Sequence, residues 1–276
     1  MSRIASTAVR FLSFVMLAAL LAPDAGALPP APVLWVDAST LATGANIDAA
    51  TTPVSNLGSQ GGSFNVGTYD VEASGIGNLN TLKFNGANQY LKSMNAYSNS
   101  GTELTMFMVQ QRITDKGEYS GSLAGTFPGT KDFQDVKNFT YHQGGGTMYG
   151  ERTNSLPSIA HPGNGVPFIG TMKFDNVNCT HYQKTSSASS SNSVANSGTF
   201  GCTQTALAAR LAADPDGAIG NYNNVNIGEV LIYNSALSTT DREAVEAYLA
   251  VKWGISAGIP GGPPWIPAEG TALIVR

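Results

Sequence analysis

The chain has 276 residues, and its 15 Lys and Arg against 19 Asp and Glu give a formal net charge of −4 at pH 7. This balance provides no basic field to hold a polyanion, so the composition argues against nucleic acid as a partner. Only 12% of the residues are charged and 31 are glycine. A β-rich fold is therefore indicated, because exposed helix faces normally carry charge.

The N-terminal segment has the pattern of a secretory signal peptide. Arg3 and Arg10 precede an apolar run over residues 11–22, and a small-residue cleavage site follows at 25–27. The run is shorter than the roughly 20 residues that cross a bilayer, so an uncleaved anchor is the weaker alternative, and no later stretch is long enough. We predict a signal peptide over residues 1–27, a secreted or cell-surface location and no stable membrane span.

Short runs rich in β-branched and aromatic residues follow, each bounded by turn formers and each typical of a strand. These runs cover residues 33–37, 81–84, 89–92, 104–111, 167–174 and 226–233. Asn85 and Gly86 lie between the second and third runs, and this dipeptide favours the tight turn of a β-hairpin. The order of the runs predicts a sandwich or barrel and not alternating β-α units.

Two of these runs carry most of the fold prediction. The first, Leu104 to Val109, is apolar on both alternating faces apart from Thr105, as expected for a central strand. In the last run, alternation places Val230 and Ile232 on one face and Ile227, Glu229, Leu231 and Tyr233 on the other. We interpret Glu229 as a structural acceptor, because an unpaired buried charge would cost several kcal/mol.

One helix is predicted near the C-terminus. Thr240 and Glu243 fit a capping box. Beyond them an apolar stripe runs to a glycine stop at Gly254, formed by Val245, Tyr248, Leu249 and Trp253. The Pro- and Gly-rich residues 259–267 cannot form regular structure. We therefore predict one domain over residues 28–254 and a C-terminal tail over residues 255–276.

The predicted export would expose thiols to an oxidising compartment, and the mature chain has two cysteines, Cys179 and Cys202. A disulfide between them is the economical prediction. A zinc site on Cys179 and His181 is the weaker alternative. Structural zinc takes four ligands, and the three histidines of the chain are scattered.

Several stretches of the chain occur in an order typical of one fold family. They are residues 34–39, 82–91, 105–110 and, most specifically, 227–238 running into 248–255. Together they resemble the laminin G-like, concanavalin A-like jelly-roll superfamily over residues 33–255, although the match is thin between Arg112 and Pro167. The resemblance implies an all-β sandwich of two antiparallel sheets, one of them concave, with one C-terminal α-helix closing an end.

The same superfamily includes glycoside hydrolases, which need two carboxylates flanking the scissile bond. The sequence has no such pair on a predicted strand. Among its glutamates only Glu243 and Glu246 are close together, and they lie on the predicted helix. We therefore predict no catalytic residue and no enzyme activity.

The resemblance also implies a calcium ion held at a rim by Asp side chains and backbone carbonyls. Asp214 and Asp216 lie in the densest cluster of hard oxygen ligands and are the candidates, although an ordinary turn has the same composition. The aromatic side chains able to stack on sugar faces are Tyr141, Tyr149, Tyr222 and Trp265. For these residues, packing in the core or in a turn is the alternative interpretation.

These observations favour a secreted, non-catalytic carbohydrate-binding or adhesion module of laminin G-like type, whose partner is a glycan or a glycosylated surface protein. The ligand class follows from fold analogy alone. Two alternatives stay open. One is a structural or assembly protein of a cell surface, wall or virion, in which the tail docks on a neighbour. The other is a glycoside hydrolase or lyase with a non-standard site.

Overall fold

The computed structural model describes residues 31–117, 119–127, 130, 137–144, 146–151, 157–211 and 219–255. The predicted signal peptide and residues 256–276 of the predicted tail lie outside this part of the chain. The elements in chain order are β1 (Leu34–Asp37), a 3-10 turn (Ala38–Thr40), β2 (Gly44–Asp48), β3 (Val54–Ser55), β4 (Ser63–Phe64), β5 (Val66–Ile76), β6 (Leu79–Asn85), β7 (Tyr90–Ser93), β8 (Glu103–Thr114), β9 (Ser120–Thr126), β10 (Phe139–Gly144), β11 (Thr147–Glu151), β12 (Ser158–Ala160), β13 (Pro167–Asp175), β14 (Asn178–Lys184), β15 (Ser189–Ala195), β16 (Gln204–Leu207), β17 (Arg210–Leu211), β18 (Ile219–Gly220), β19 (Asn224–Tyr233) and α1 (Thr239–Lys252).

Across these residues the fold is all-β with one α-helix, as the sequence predicts. The strand pairs are antiparallel, including those that join the long strands β8, β13 and β19. The six strands predicted from sequence are present as β1, β6, β7, β8, β13 and β19. No helix in the described ranges combines the length and apolar character that a membrane crossing requires.

Fifteen of the strands in the described ranges form one continuous sheet. The hydrogen-bonded order is β12-β11-β10-β9-β16-β7-β5-β6-β19-β8-β13-β14-β15, with β1 beside β19 and β2 beside β5. The two ends of the sheet come together, because Asn192 Nδ2 of β15 donates to Ser158 O of β12 and Gln183 Nε2 of β14 donates to Ala160 O of β12, each at 3.0 Å. The sheet therefore curls into a near-barrel. This corrects the expected division into two sheets, since β19 pairs with β6 on one edge and β8 on the other without a break.

The curled sheet encloses the main apolar core, and a smaller core lies outside it beneath α1. Leu104, Met106 and Met108 of β8 point into the enclosed core. Phe107 and Val109, which alternate with them, pack in the outer core with residues of the helix. β8 is thus buried on both faces, as its apolar sequence predicts.

β19 departs from strict alternation at Gly228. Its register with β8 shifts between Ile227 and Glu229, so Ile227 packs in the enclosed core with Val230 and Ile232. Gly228 also lies against the Trp253 ring, where an added Cβ would approach ring carbons within 2.8 Å. The prediction that Ile227 shares a face with Glu229 is therefore wrong, because alternation in sequence does not reveal a β-bulge.

α1 begins two residues earlier than its predicted capping box. Ser238, and not Thr240, is the N-cap, and its hydroxyl accepts a hydrogen bond from the Asp241 backbone N–H. The predicted apolar stripe is confirmed, since Val245, Leu249 and Trp253 are fully buried. Gly254 follows with φ 64°, the left-handed conformation that ends many helices.

A buried carboxylate holds this helix to the sheet. Glu229 is fully buried. Its Oε1 accepts from Trp35 Nε1 at 2.8 Å and Tyr248 O–H at 3.1 Å, and its Oε2 lies 2.8 Å from both Trp253 Nε1 and Lys252 Nζ. Burial raises the pKa of Glu229, and the Lys252 charge opposes that shift. We call these five residues the helix anchor, and its bonding matches the structural role expected for Glu229.

The Asn-Gly turn does not form the predicted hairpin, because β6 and β7 do not pair with each other. Val71 of β5 lies between Gly44 and Leu82, and Thr68 of β5 lies between Asp48 and Tyr90. β6 and β7 therefore pair with different parts of the same edge of β5, and β2 pairs with the opposite edge. The Asn-Gly turn connects the two strands along that shared edge. The Asn85 side chain accepts the backbone N–H groups of residues 87–89, which stabilises this short excursion.

Candidate functional site

Histidine and tyrosine rings face each other on the outer surface of the near-barrel. His142 of β10 pairs with Tyr149 of β11, and their rings stack with centroids 5.1 Å apart and an interplanar angle of 18°. Their chain neighbours Tyr141 and Met148 belong to the enclosed core. Because successive side chains of a strand point to opposite faces, the stacked pair points outward.

Tyr119 and Arg210 extend this pair along the surface. The Tyr119 ring centroid lies 5.7 Å from that of His142, and the guanidinium carbon of Arg210 lies 5.8 Å from the Tyr119 centroid. Tyr119 has φ 66°, an unusual conformation for a large side chain. We call Tyr119, His142, Tyr149 and Arg210 the ring cluster.

A glycine brings Arg210 to this position. Gly121 of β9 pairs with His142, and a Cβ at Gly121 would collide with the Ala209 backbone and would lie 2.8 Å from Arg210 Cγ. The glycine therefore allows the segment containing β17 to lie directly on β9. Leu211 of β17 packs beside it against Ala124 and Ala206, which fixes the segment on the outer face.

The ring cluster combines buried and exposed groups. His142 is fully buried and Arg210 is 6% exposed, whereas Tyr119 is 50% exposed and Tyr149 is partly exposed. The buried members hold the exposed rings in place. A ligand would meet flat aromatic surfaces with phenol hydroxyls at their edges.

The predicted ligand-binding tyrosines separate into two groups. Tyr149 is in the ring cluster. Tyr222 is half-buried on Tyr90, with ring centroids 6.0 Å apart, and it follows Asn221, whose carbonyl accepts from Gly121 N–H. The structure therefore places Tyr222 beside the β9 end of the ring cluster.

Tyr141 instead lies in the enclosed core and is fully buried. Its hydroxyl is 3.0 Å from His181 Nε2, and burial raises the pKa of the phenol. Alternation along β10 turns Tyr141 inward, away from any external ligand. Trp265, the remaining aromatic candidate, lies outside the described residues.

The predicted disulfide is not present in the structure, where Cys179 and Cys202 are two buried thiols. Cys179 lies in β14 between Phe174 and Val194, and Cys202 Sγ donates to Lys137 O at 3.2 Å. Both cysteines belong to the enclosed core. The pairing inferred from the predicted export therefore stays a prediction.

The predicted calcium ligands Asp214 and Asp216 lie outside the described residues. Within the described ranges, no group of three or more His, Cys, Asp or Glu side chains is placed to hold a metal ion. His181, the partner considered for zinc with Cys179, is bonded to Tyr141.

The sequence pattern does not single out Tyr119, His142 or Arg210 as site residues. The Phe-Thr-Tyr-His run at 139–142 contains a usable signal, since an inward Phe139 and Tyr141 require an outward His142. Tyr119 and Arg210 join the cluster only through tertiary packing. Their positions in the sequence therefore carry no comparable signal.

The sequence matches no known protein family and no curated protein. Three solved structures illustrate what the fold is similar to. A Trypanosoma rangeli sialidase in complex with 2,3-difluoro-KDN is 13% identical, covers 84% of this chain and 34% of its own, and has a TM-score of 0.50. The CBM40 domain of a Ruminococcus gnavus IT-sialidase bound to α2,3-sialyllactose is 14% identical. The match covers 60% of this chain and 95% of that domain, with a TM-score of 0.42.

The NanB sialidase of Streptococcus pneumoniae is 15% identical, with a TM-score of 0.43 over 59% of this chain and 26% of that one. The chain thus spans about a quarter of that sialidase and a third of the trypanosomal one. At these identities the likeness concerns the fold alone. It supports the β-rich fold and leaves both the concanavalin A-like superfamily and the laminin G type as proposals.

Proposed function

We propose that this chain is a secreted, non-catalytic glycan-binding module of laminin G-like type, and that it binds its ligand at the ring cluster. The observation that carries the proposal is the outward His142–Tyr149 stack, continued by the half-exposed ring of Tyr119. Exposed aromatic rings held by buried neighbours form a surface whose shape is fixed before a ligand arrives. Less ordering entropy is then lost on binding.

The chemistry of this surface matches a sugar. The C–H face of a pyranose is apolar and packs on a flat ring, while its hydroxyls need donors and acceptors at the ring edge. Tyr119 and Tyr149 supply rings and hydroxyls, while Arg210, which is 6% exposed, supports the Tyr119 ring with its guanidinium carbon 5.8 Å from the ring centroid. The partner we propose is a free glycan or a glycosylated protein at an extracellular surface.

The bonding of the carboxylates supports a binding function over hydrolysis. Glu229 and Asp37 both bind Lys252 within the helix anchor, and Glu229 is inaccessible to solvent. Glu243 and Glu246 both pair with Arg242. In the described part of the chain each of these carboxylates is engaged by a basic side chain, whereas glycosidases need a pair that flanks the substrate.

The test is a glycan array with the full-length protein, followed by calorimetry on any bound glycan with and without calcium. We expect Tyr119→Ala to weaken binding several-fold, because half of this side chain is open to a ligand. Leu57→Ala is the matched control, since Leu57 is 53% exposed and lies outside the ring cluster. Silence on the array, or equal binding by the two variants, would refute the proposed site.

A parallel incubation with polysaccharide mixtures addresses catalysis. We expect no new reducing ends, and their appearance would contradict the non-catalytic assignment without affecting the location of the binding site.

A further inference from the structure

Three polar side chains outside the ring cluster meet on the outer face of β5, β6 and β19. Lys83 of β6 lies directly opposite Asn226 of β19 in an antiparallel pair, where Cβ atoms are about 4.5–5.5 Å apart. Glu72 of β5 lies on the same face. One of its carboxylate oxygens, Oε1, is 2.8 Å from Lys83 Nζ, and the other, Oε2, accepts from Asn226 Nδ2 at 3.1 Å. A single carboxylate therefore holds an amine and a carboxamide side by side.

The amide of Asn226 is fixed in one orientation. Its Nδ2 also donates to Gln111 Oε1 at 3.3 Å, and Gln111 Nε2 in turn donates to the Gly165 carbonyl at 2.8 Å. The residue is only 4% exposed, and its Oδ1 is buried without a hydrogen-bond partner. A buried amide oxygen without a donor is unusual and destabilising. The Asn226 carbonyl therefore contributes no hydrogen bond to the stability of the fold.

We propose that Lys83 and Asn226 form an intramolecular isopeptide bond, with Glu72 as the proton carrier. Glu72 takes one proton from the Lys83 ammonium, and the neutral amine attacks Asn226 Cγ. The Nζ–Cγ bond forms and the Cγ–Nδ2 bond breaks. The second proton lost by the amine and the proton held by Glu72 pass to the departing nitrogen, which leaves as ammonium, and Glu72 returns to carboxylate. No oxidant, reductant or co-reactant is consumed.

Position and acid–base chemistry both favour this reaction. Amines are competent nucleophiles once deprotonated, and fixing two groups next to each other replaces an encounter between separate molecules. Lys83 and Glu72 are 36% and 37% exposed, so water competes for the ammonium. We therefore expect a slow reaction that proceeds in the folded protein over a long incubation, and not an immediate one.

The test is intact mass spectrometry of the full chain, fresh and after incubation at mildly alkaline pH, with peptide mapping after trypsin. The wild type should lose the mass of one ammonia, and the map should contain one branched peptide that joins the segments around Lys83 and Asn226. Lys83→Arg keeps the ion pair with Glu72 but removes the amine, and its peptide map should contain no branched peptide. Glu72→Gln should react at least tenfold more slowly (about 1.4 kcal/mol).

Lys173→Arg is the matched control, because Lys173 lies on β13 away from this site and should leave the branched peptide unchanged. Peptide mapping is essential, since Asn85 precedes Gly86 and that dipeptide can lose ammonia by itself. A wild type that retains its full mass after incubation overturns the proposal. So does ammonia loss mapped to Asn85, or a branched peptide that forms equally fast in Glu72→Gln.

Discussion

Two tyrosine–histidine pairs meet at β10, one on each face of the strand, and they perform different tasks. Inside, Tyr141 and His181 are hydrogen-bonded at 3.0 Å with perpendicular rings, and both are fully buried. Outside, His142 and Tyr149 stack with rings 18° apart next to the half-exposed Tyr119. The same two residue types thus lie in the core or on the outer face, depending only on which face of β10 the side chain points from. A hydrogen bond within the core commits the first pair to stability, whereas the second pair leaves ring surface for a ligand.

The largest expected effect comes from removing the inner tyrosine. Tyr141→Ala should lower the free energy of unfolding by about 3–5 kcal/mol, because it leaves a cavity and an unpaired His181 in the core. Urea denaturation measures this loss. Tyr149→Ala is the outer counterpart and should change stability by about 1 kcal/mol or less. Equal losses in the two variants would contradict the distinction between the pairs.

The inner histidine should make stability depend on pH. Burial lowers the pKa of His181 from 6.5 to about 3, so between these values the unfolded chain binds a proton that the folded chain does not. Stability from this group is complete above pH 6.5 and is lost as pH falls, on the order of 3 kcal/mol by pH ~4.

Denaturation at several pH values tests this sign. His181→Gln should show a shallower fall below pH 6.5, although His161, whose pKa burial lowers to about 4, keeps part of the slope in both proteins. An identical slope with and without His181 would show that this histidine does not titrate as expected.

A third change tests how closely the inner pair is packed. A side chain at Gly170 would collide with the Tyr141 hydroxyl, so Gly170→Ala should cost about 1–3 kcal/mol as the ring is forced to move. Adding Tyr141→Phe, which removes the hydroxyl, should recover part of this loss in a double-mutant cycle. Strict additivity of the two changes would place the strain elsewhere.

The smallest effect is expected at the outer pair. Tyr149→Ala should weaken glycan binding by about 1 kcal/mol, roughly fivefold, since it removes one stacking ring. Tyr149→Phe keeps the ring and should bind more tightly than the alanine variant. Calorimetry compares the two, and equal affinities would assign the contribution to the hydroxyl and not to stacking.

The sequence predicts the long apolar strands and the helix well, because β8 contains a nearly continuous apolar run and α1 has a periodic apolar stripe. It fails where one residue alters the geometry. The bulge at Gly228 reverses the expected side of Ile227, and the Asn85 turn rejoins the same edge of β5. Neither event has a distinct local pattern, since both depend on which strand lies alongside.

The candidate site was harder to predict than the fold. β9 is rich in Gly, Ser and Ala, so its apolar pattern is weak, and the sequence resemblance is thin in this region. An aromatic ring that can stack on a sugar points to Tyr149 and Tyr222 as candidates, but it points equally to Tyr141, which is buried. Arg210 reaches Tyr119 only because Gly121 lets β17 lie on β9, a contact between segments about ninety positions apart (210 − 121 = 89).

The two tryptophans of the helix anchor provide an intrinsic fluorescence signal for the position of α1. The indole N–H groups of Trp35 and Trp253 donate to the same Glu229 carboxylate, one from the first strand and the other from the end of α1. Any detachment of α1 from the sheet must break the Trp253 bond and open the Trp35 bond to water. The intrinsic emission of these two indoles should therefore follow the undocking of this single helix, separately from the loss of the enclosed core.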